Sequence, residues 1–174
     1  MLDLGTQKVT WNGETKQQHK IMLGFELINE LMEDGRPFTV NNRYTLSGFA
    51  NSQLRKAMEG WRAKAYTDDE FAEVDFTRVV GVPAMLTLTE SKDEKYTNIT
   101  AISKLPSGTP LKPLVNPKQI LILSTEEFDK AMFDSLSDGL KKIIEASPEY
   151  QAIQAGTPIT KPLNELHGDE LPPF

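Results

Sequence analysis

Lys8-Val9-Thr10-Trp11-Asn12-Gly13, followed after a polar stretch by Lys20-Ile21-Met22-Leu23-Gly24-Phe25-Glu26-Leu27, is the part of the chain on which the fold turns. Asn-Gly tolerates positive φ at both central positions of a tight turn, so the segments on either side of it pair as a β-hairpin. Along the second segment Ile21, Leu23, Phe25 and Leu27 alternate with other residues, the period-two pattern of a half-buried strand. Upstream, Leu2-Asp3-Leu4-Gly5-Thr6 leaves little room for a complete first strand. This predicts either an abbreviated sheet or residues lost to an alternative start. Downstream, Phe38-Thr39-Val40 and Arg43-Tyr44-Thr45-Leu46-Ser47 are β-branched and aromatic, and extend the strand content.

Beyond them Leu54, Met58 and Trp61 fall at helical spacing with Ala57 alongside, which predicts a helix over roughly 51–64 with Trp61 in the core. Thr67-Asp68-Asp69-Glu70 has the spacing of a capping box and predicts a short helix to about Ala72. Pro83 restarts extended structure, and the runs Ala84–Thr89 and Tyr96–Ile102 form a second hairpin around Lys92-Asp93-Glu94-Lys95. Residues 105–117 hold four prolines in thirteen positions, so they form a linker or a strap. Ile120–Leu123 reads as a short strand. Ser124-Thr125-Glu126-Glu127 reads as a second capping box, opening a helix that carries Phe128, Met132 and Phe133. Leu140, Ile143 and Ile144 mark another helix, and Ser147-Pro148 starts a last one that Gly156 closes. Four more prolines over 157–174 predict a disordered tail. A strand pair, an extended segment, a helix and a strand pair match an OB-fold, a five-stranded partly open barrel. The expected class is mainly β with helices. The expected divisions are a domain over 1–104, a strap over 105–123, a helical extension over 124–156 and the tail.

The formal net charge of -6 argues against nucleic acid, whose phosphates are met by Lys and Arg, but the charge is segregated. Residues 36–64 carry a local net of +5, residues 65–94 a local net of -6, and the part from Leu105 onward adds -4. A basic face with an acidic appendage fits a strand binder. Cysteine is absent, and His19 and His167 are far apart in sequence, so a thiolate or histidine metal site is not expected. No Gly-rich phosphate loop, nucleophile–base pair or cofactor motif is present, and neither catalysis nor a cofactor is expected. No apolar stretch approaches the length of a membrane span, and no secretory leader is evident.

Binding single strands without sequence preference takes a basic groove and rings on which bases stack. Trp11 beside the hairpin turn reads as a stacking platform or as turn packing. Tyr44 and Tyr96, each after a cation, read as base contacts or as ordinary half-buried tyrosines. Arg43 and Arg55 are the leading cations, followed by Lys16, Lys20, Arg36, Lys56, Arg62 and Lys95; the plain alternative for each is a solvated surface charge. The end of the chain, Asp169-Glu170-Leu171-Pro172-Pro173-Phe174, repels DNA and suits an apolar, basic-rimmed pocket on a partner protein. It resembles the acidic, proline- and phenylalanine-terminated tip of bacterial single-stranded DNA-binding proteins, with an extra proline.

Several segments together resemble a second family. They are Leu4-Gly5-Thr6-Gln7, Trp11–Lys16, Met22–Leu27, Asp34–Phe38, Arg43–Ser47, Leu54-Arg55-Lys56, Trp61-Arg62, Ser103–Pro106 and Ser147–Tyr150. The family is that of small bacteriophage and prophage single-stranded DNA-binding proteins of replication or recombination. The similarity spans about residues 4–150. Its members carry an extra N-terminal strand before the Leu-Gly-Thr-Gln run, which this chain is expected to lack, and Gly48-Phe49-Ala50 replaces a polar approach to the helix. The resemblance implies an OB-like fold, phage genome metabolism, single-stranded DNA and replication or recombination proteins as partners, and the cytoplasm of an infected bacterium. A homo-oligomer is compatible with it. The competing expectation is an interaction module that never touches nucleic acid, suggested by the acidic sum and the helices after Ser124.

Overall fold

The computed structural model describes residues 1–93 and 95–159. Strands β1 (Leu2–Trp11) and β2 (Glu14–Leu31) pair antiparallel across Asn12-Gly13, and β3 (Pro37–Thr45) adds to β2, giving a three-stranded sheet in the order β1-β2-β3. The turn takes the positive φ values of 49° at Asn12 and 82° at Gly13 that its sequence predicts. Helices α1 (Gln53–Arg62) and α2 (Asp68–Ala72) follow, and then β4 (Ala84–Glu90) and β5 (Thr97–Lys104) pair as a separate antiparallel sheet. Short helices α3 (Lys130–Asp134), α4 (Asp138–Glu145) and α5 (Pro148–Gln154) complete the described chain. The class is α+β, mostly strand.

The five strands do not close into a barrel among the described residues, because no ladder joins the two sheets. They meet through side chains. Ile21, Leu23 and Tyr44 from the first sheet and Ile102 from the second enclose Leu54, Met58 and Trp61 of α1, with Phe71 and Phe76 below. The indole Nε1 of Trp61 donates to the carbonyl of Pro83 at 3.0 Å, which ties the core helix to the start of β4.

The first strand is longer than its sequence suggests. Leu2 and Leu4 are fully buried, facing Leu121, Leu123, Phe133, Leu136 and Ile144 in a second apolar cluster. This cluster makes the 124–156 extension part of the same body as β1. Register shifts between Asp3 and Gly5, where Gly5 sits at φ 69° and a Cβ would collide with Ser147 and Glu149. The expected strand at Ile120–Leu123 is reduced to one parallel bridge, Leu2 to Leu121, held by backbone bonds from Asp3 to Leu121 and from Leu121 to Met1.

The helix expected to open at Ser124 opens instead at Lys130, capped by Asp129, whose carboxylate accepts from Met132 N at 2.9 Å. Ser124 is buried, and its hydroxyl closes only a local turn with Glu127 N. The proline-rich segment is a strap. The Glu26 carboxylate accepts from Val115 N at 2.8 Å, Asn116 N at 2.9 Å and Asn116 Nδ2 at 2.7 Å, and Lys112 Nζ donates to Ile28 O. Of the tail expected to be disordered, Ile159 is tied to Thr125 by backbone and hydroxyl bonds, while 160–174 lie outside the described residues.

Candidate nucleic-acid interface

Residues paired across an antiparallel ladder share a face of the sheet, and alternate residues along a strand switch faces. Trp11 pairs with Glu14, Val9 with Lys16, Gly5 with Lys20, Lys20 with Thr45, and Met22 with Arg43. Trp11, Lys16, Lys20 and Arg43 therefore share one face. Ile21, Leu23, Phe25 and Tyr44 occupy the opposite face and enter the main core. The register thus collects three of the expected cations and the leading ring on the side turned away from that core.

Each of these groups has a distinct environment. Trp11 is 78% exposed at the end of the β1–β2 ribbon. Lys16 lies 3.7 Å from Glu14. Lys20 Nζ donates to Gln18 Oε1 at 2.7 Å and to Thr45 Oγ1 at 2.6 Å, and burial pulls its pKa below the ordinary lysine value. Neither acceptor carries charge, so Lys20 is fixed in place with no carboxylate partner among the described residues. Arg43 is exposed and has no carboxylate partner among the described residues. Gln18 and Thr45 act as positioning groups that sequence reading missed; the spacing of two between Gln18 and Lys20 was the available signal, while Thr45 meets Lys20 only across the ladder.

Two leading candidates lie elsewhere. Tyr44 is 4% exposed with its ring in the core, where burial raises its pKa, and no base can stack on it. Arg55 is also 4% exposed. Its guanidinium donates to Asp68 at 2.6 Å, to Glu59 at 3.1 Å and to the carbonyls of Gly48 and Tyr66, and it lies over the Phe71 ring. The Asp68 hydrogen bond, then that of Glu59, raises its pKa. Arg55 is an internal brace between α1 and the start of α2, not a phosphate ligand. Arg62 stacks 3.9 Å from the Tyr66 ring centroid with Glu70 at 3.6 Å, and Arg36 is paired to Asp34 at 2.7 Å. Lys56, Lys95 and Tyr96 are exposed, on α1 and in the β4–β5 loop rather than on the sheet face; Lys95 lies 3.9 Å from Asp93. Asp169 to Phe174 fall outside the described residues.

His19 belongs to a buried charge cluster. Its Nε2 meets Asp3 Oδ1 at 2.7 Å and its Nδ1 meets Glu149 Oε1 at 3.4 Å. Burial works to lower its pKa, but the hydrogen bonds and charges of both carboxylates outweigh burial and raise it to about 9. Burial likewise opposes ionisation of Glu149, yet bonds from His19 and from the hydroxyl and N–H of Thr6 bring it down to about 2. Asp3 also accepts from Gly5 N and Leu123 N. The Thr6 hydroxyl also lies 3.5 Å from His19 Nδ1, and the cluster pins β1, β2 and α5 together.

No family model, curated protein or solved structure matches the chain. Among the described residues no helix is long and apolar enough to cross a membrane.

Proposed function

We propose that the chain is a sequence-nonspecific single-stranded DNA-binding protein of phage replication or recombination, acting in the bacterial cytoplasm, as the family resemblance implies. The observation that carries the reading is the ladder register that gathers Trp11, Lys16, Lys20 and Arg43 on one sheet face, beside the point where Met22 of the same face enters the second apolar cluster. The three cations take successive phosphates, and the Trp11 indole takes a base, a contact of about 1–3 kcal/mol. We read the element order as that of an opened OB-fold. A hairpin, a third strand, a helix and a second hairpin follow one another in that order, and OB-folds bind on strands 2 and 3 and on the loops of the two hairpins. Lys95 and Tyr96 stand in the second of those loops. Asp169 to Phe174 recruit replication or recombination partners.

Titration of a fluorescent oligo(dT) at two salt concentrations tests this reading, with tighter binding expected at low salt. Arg43→Glu and Lys16→Glu should each weaken binding for all sequences and lower the salt slope by about one. Arg55→Met should leave the affinity of the folded protein unchanged. Absence of binding at low salt, or an affinity indifferent to salt, defeats the proposal.

A further inference from the structure

The two ends of the long hairpin differ in charge and match in apolar character. Strand β2 has 18 residues, so at about 3.4 Å per residue it runs roughly 60 Å from end to end. Its first end, over residues 8–20, carries Lys8, Lys16 and Lys20 against Glu14, with Trp11 projecting at the turn. Its far end, over residues 26–36, carries Glu26, Glu30, Glu33 and Asp34 against Arg36. At that far end Leu31 is 53% and Phe38 48% exposed, although both lie on or beside paired strands.

Two hollows make this end receptive. One, of about 180 Å³, is lined by Ile28, Leu31, Pro37, Pro113 and Val115 with Glu26 and Lys112 at its rim. The other is bounded by Met32 and Phe38 with Glu33 and Asp34. A shallow apolar surface edged by Glu33 and Asp34 on one side and by Glu26 and Lys112 on the other suits a projecting aromatic ring beside a lysine. The chain itself carries such a group at the opposite end of the same strand.

We infer that copies of this protein associate head to tail, the Asn12-Gly13 tip of one, with Trp11 and Lys16 on its shared face, seating on the Leu31–Phe38 end of the next. The contact joins two different surfaces, so it propagates as an open chain and does not stop at a symmetric dimer. An indole has two faces, and the exposure of Trp11 leaves room for a neighbouring molecule on one and a base on the other. The association stands apart from the DNA-binding reading. Its consequence, cooperative coating of a strand, rests on that reading.

Sedimentation velocity over a concentration series at low salt, with protein alone, tests the contact. The wild-type sedimentation coefficient should climb without levelling at a dimer, and should fall back as salt screens the charged rims. Leu31→Glu and Trp11→Glu should each be monomeric. Mixed together they should form a one-to-one dimer and nothing larger, because each retains the surface the other has lost. Circular dichroism checks that both fold; Phe38→Glu and Lys16→Glu repeat the design if either does not. A wild type that stays monomeric, one that stops at a dimer, or a mixture that stays monomeric overturns the inference. With DNA, Leu31→Glu should bind an oligonucleotide of about eight bases like wild type, yet lose cooperativity on a long one. Retained cooperativity counts against the contact. Failure of wild type to bind either oligonucleotide removes the DNA reading and leaves the sedimentation result standing.

Discussion

At the scale of residues, His19 makes the stability of the protein depend on pH with a definite sign. Its pKa is about 9 in the fold against an ordinary value of 6.5, so the imidazolium's contribution is complete below 6.5 and is lost as pH rises through 9. Glu149, held at about 2, contributes above its ordinary 4.5 and loses that contribution as pH falls toward 2. The Met1 amine, pushed to about 6 by burial, works against His19 between 6 and 8, so the wild-type profile alone understates the effect. The difference in melting temperature between wild type and His19→Gln isolates it. That difference should be large near pH 6 and shrink toward pH 9; a constant difference contradicts the assignment. None of this was legible locally, since His19, Asp3 and Glu149 are brought together only by the fold. Trp61 was legible, because its helical spacing with Leu54 and Met58 marks an apolar stripe. Arg55 was not, because the spacing does not say that α2 begins over its side chain and presents Asp68.

At the scale of elements, α1 shows how close packing reverses a propensity rule. Ser52 caps the helix, accepting from Arg55 N at 3.2 Å, and Ala63 ends it in the left-handed region at φ 56°. Between them Gly60 lets the helix backbone approach β5 so closely that an added Cβ would strike the carbonyl of Ile102. Glycine to alanine in a helix ordinarily stabilises by about 1 kcal/mol. Gly60→Ala should instead destabilise by about 1–3 kcal/mol through overpacking. Gly139→Ala in α4, where nothing lies within 4 Å of the new carbon, should be neutral or stabilising by up to about 1 kcal/mol. Urea denaturation of the pair measures both signs. The elements themselves were largely written in local sequence: Asn12-Gly13 set the first hairpin, and Thr67 and Glu70 form a complete capping box. Ser124 has the same spacing and its hydroxyl accepts from Glu127 N, but only a turn follows and the helix waits for the Asp129 cap.

At the scale of the whole molecule, net charge is a poor guide and its placement a better one, yet the concentration in 36–64 pointed partly to the wrong side chains. Arg55 is spent inside, and Arg36 and Arg62 have local acidic partners, whereas Lys16 and Lys20 gain weight from the ladder that sets them beside Arg43. Removal of Leu171 to Phe174 should leave affinity for oligo(dT) unchanged or tighter and abolish association with replication or recombination proteins, measured by titration and by co-purification. Weaker DNA binding by the truncated chain contradicts that division of labour. The Thr6 contact with Glu149 spans 143 residues of sequence. At about 5–20 residues per second, translation leaves roughly 7 to 30 seconds between the emergence of those two side chains from the ribosome. Leu2 and Leu4 are covered by Leu121, Leu123, Phe133, Leu136 and Ile144, so a nascent chain stalled before Leu121 offers chaperones an uncovered first strand.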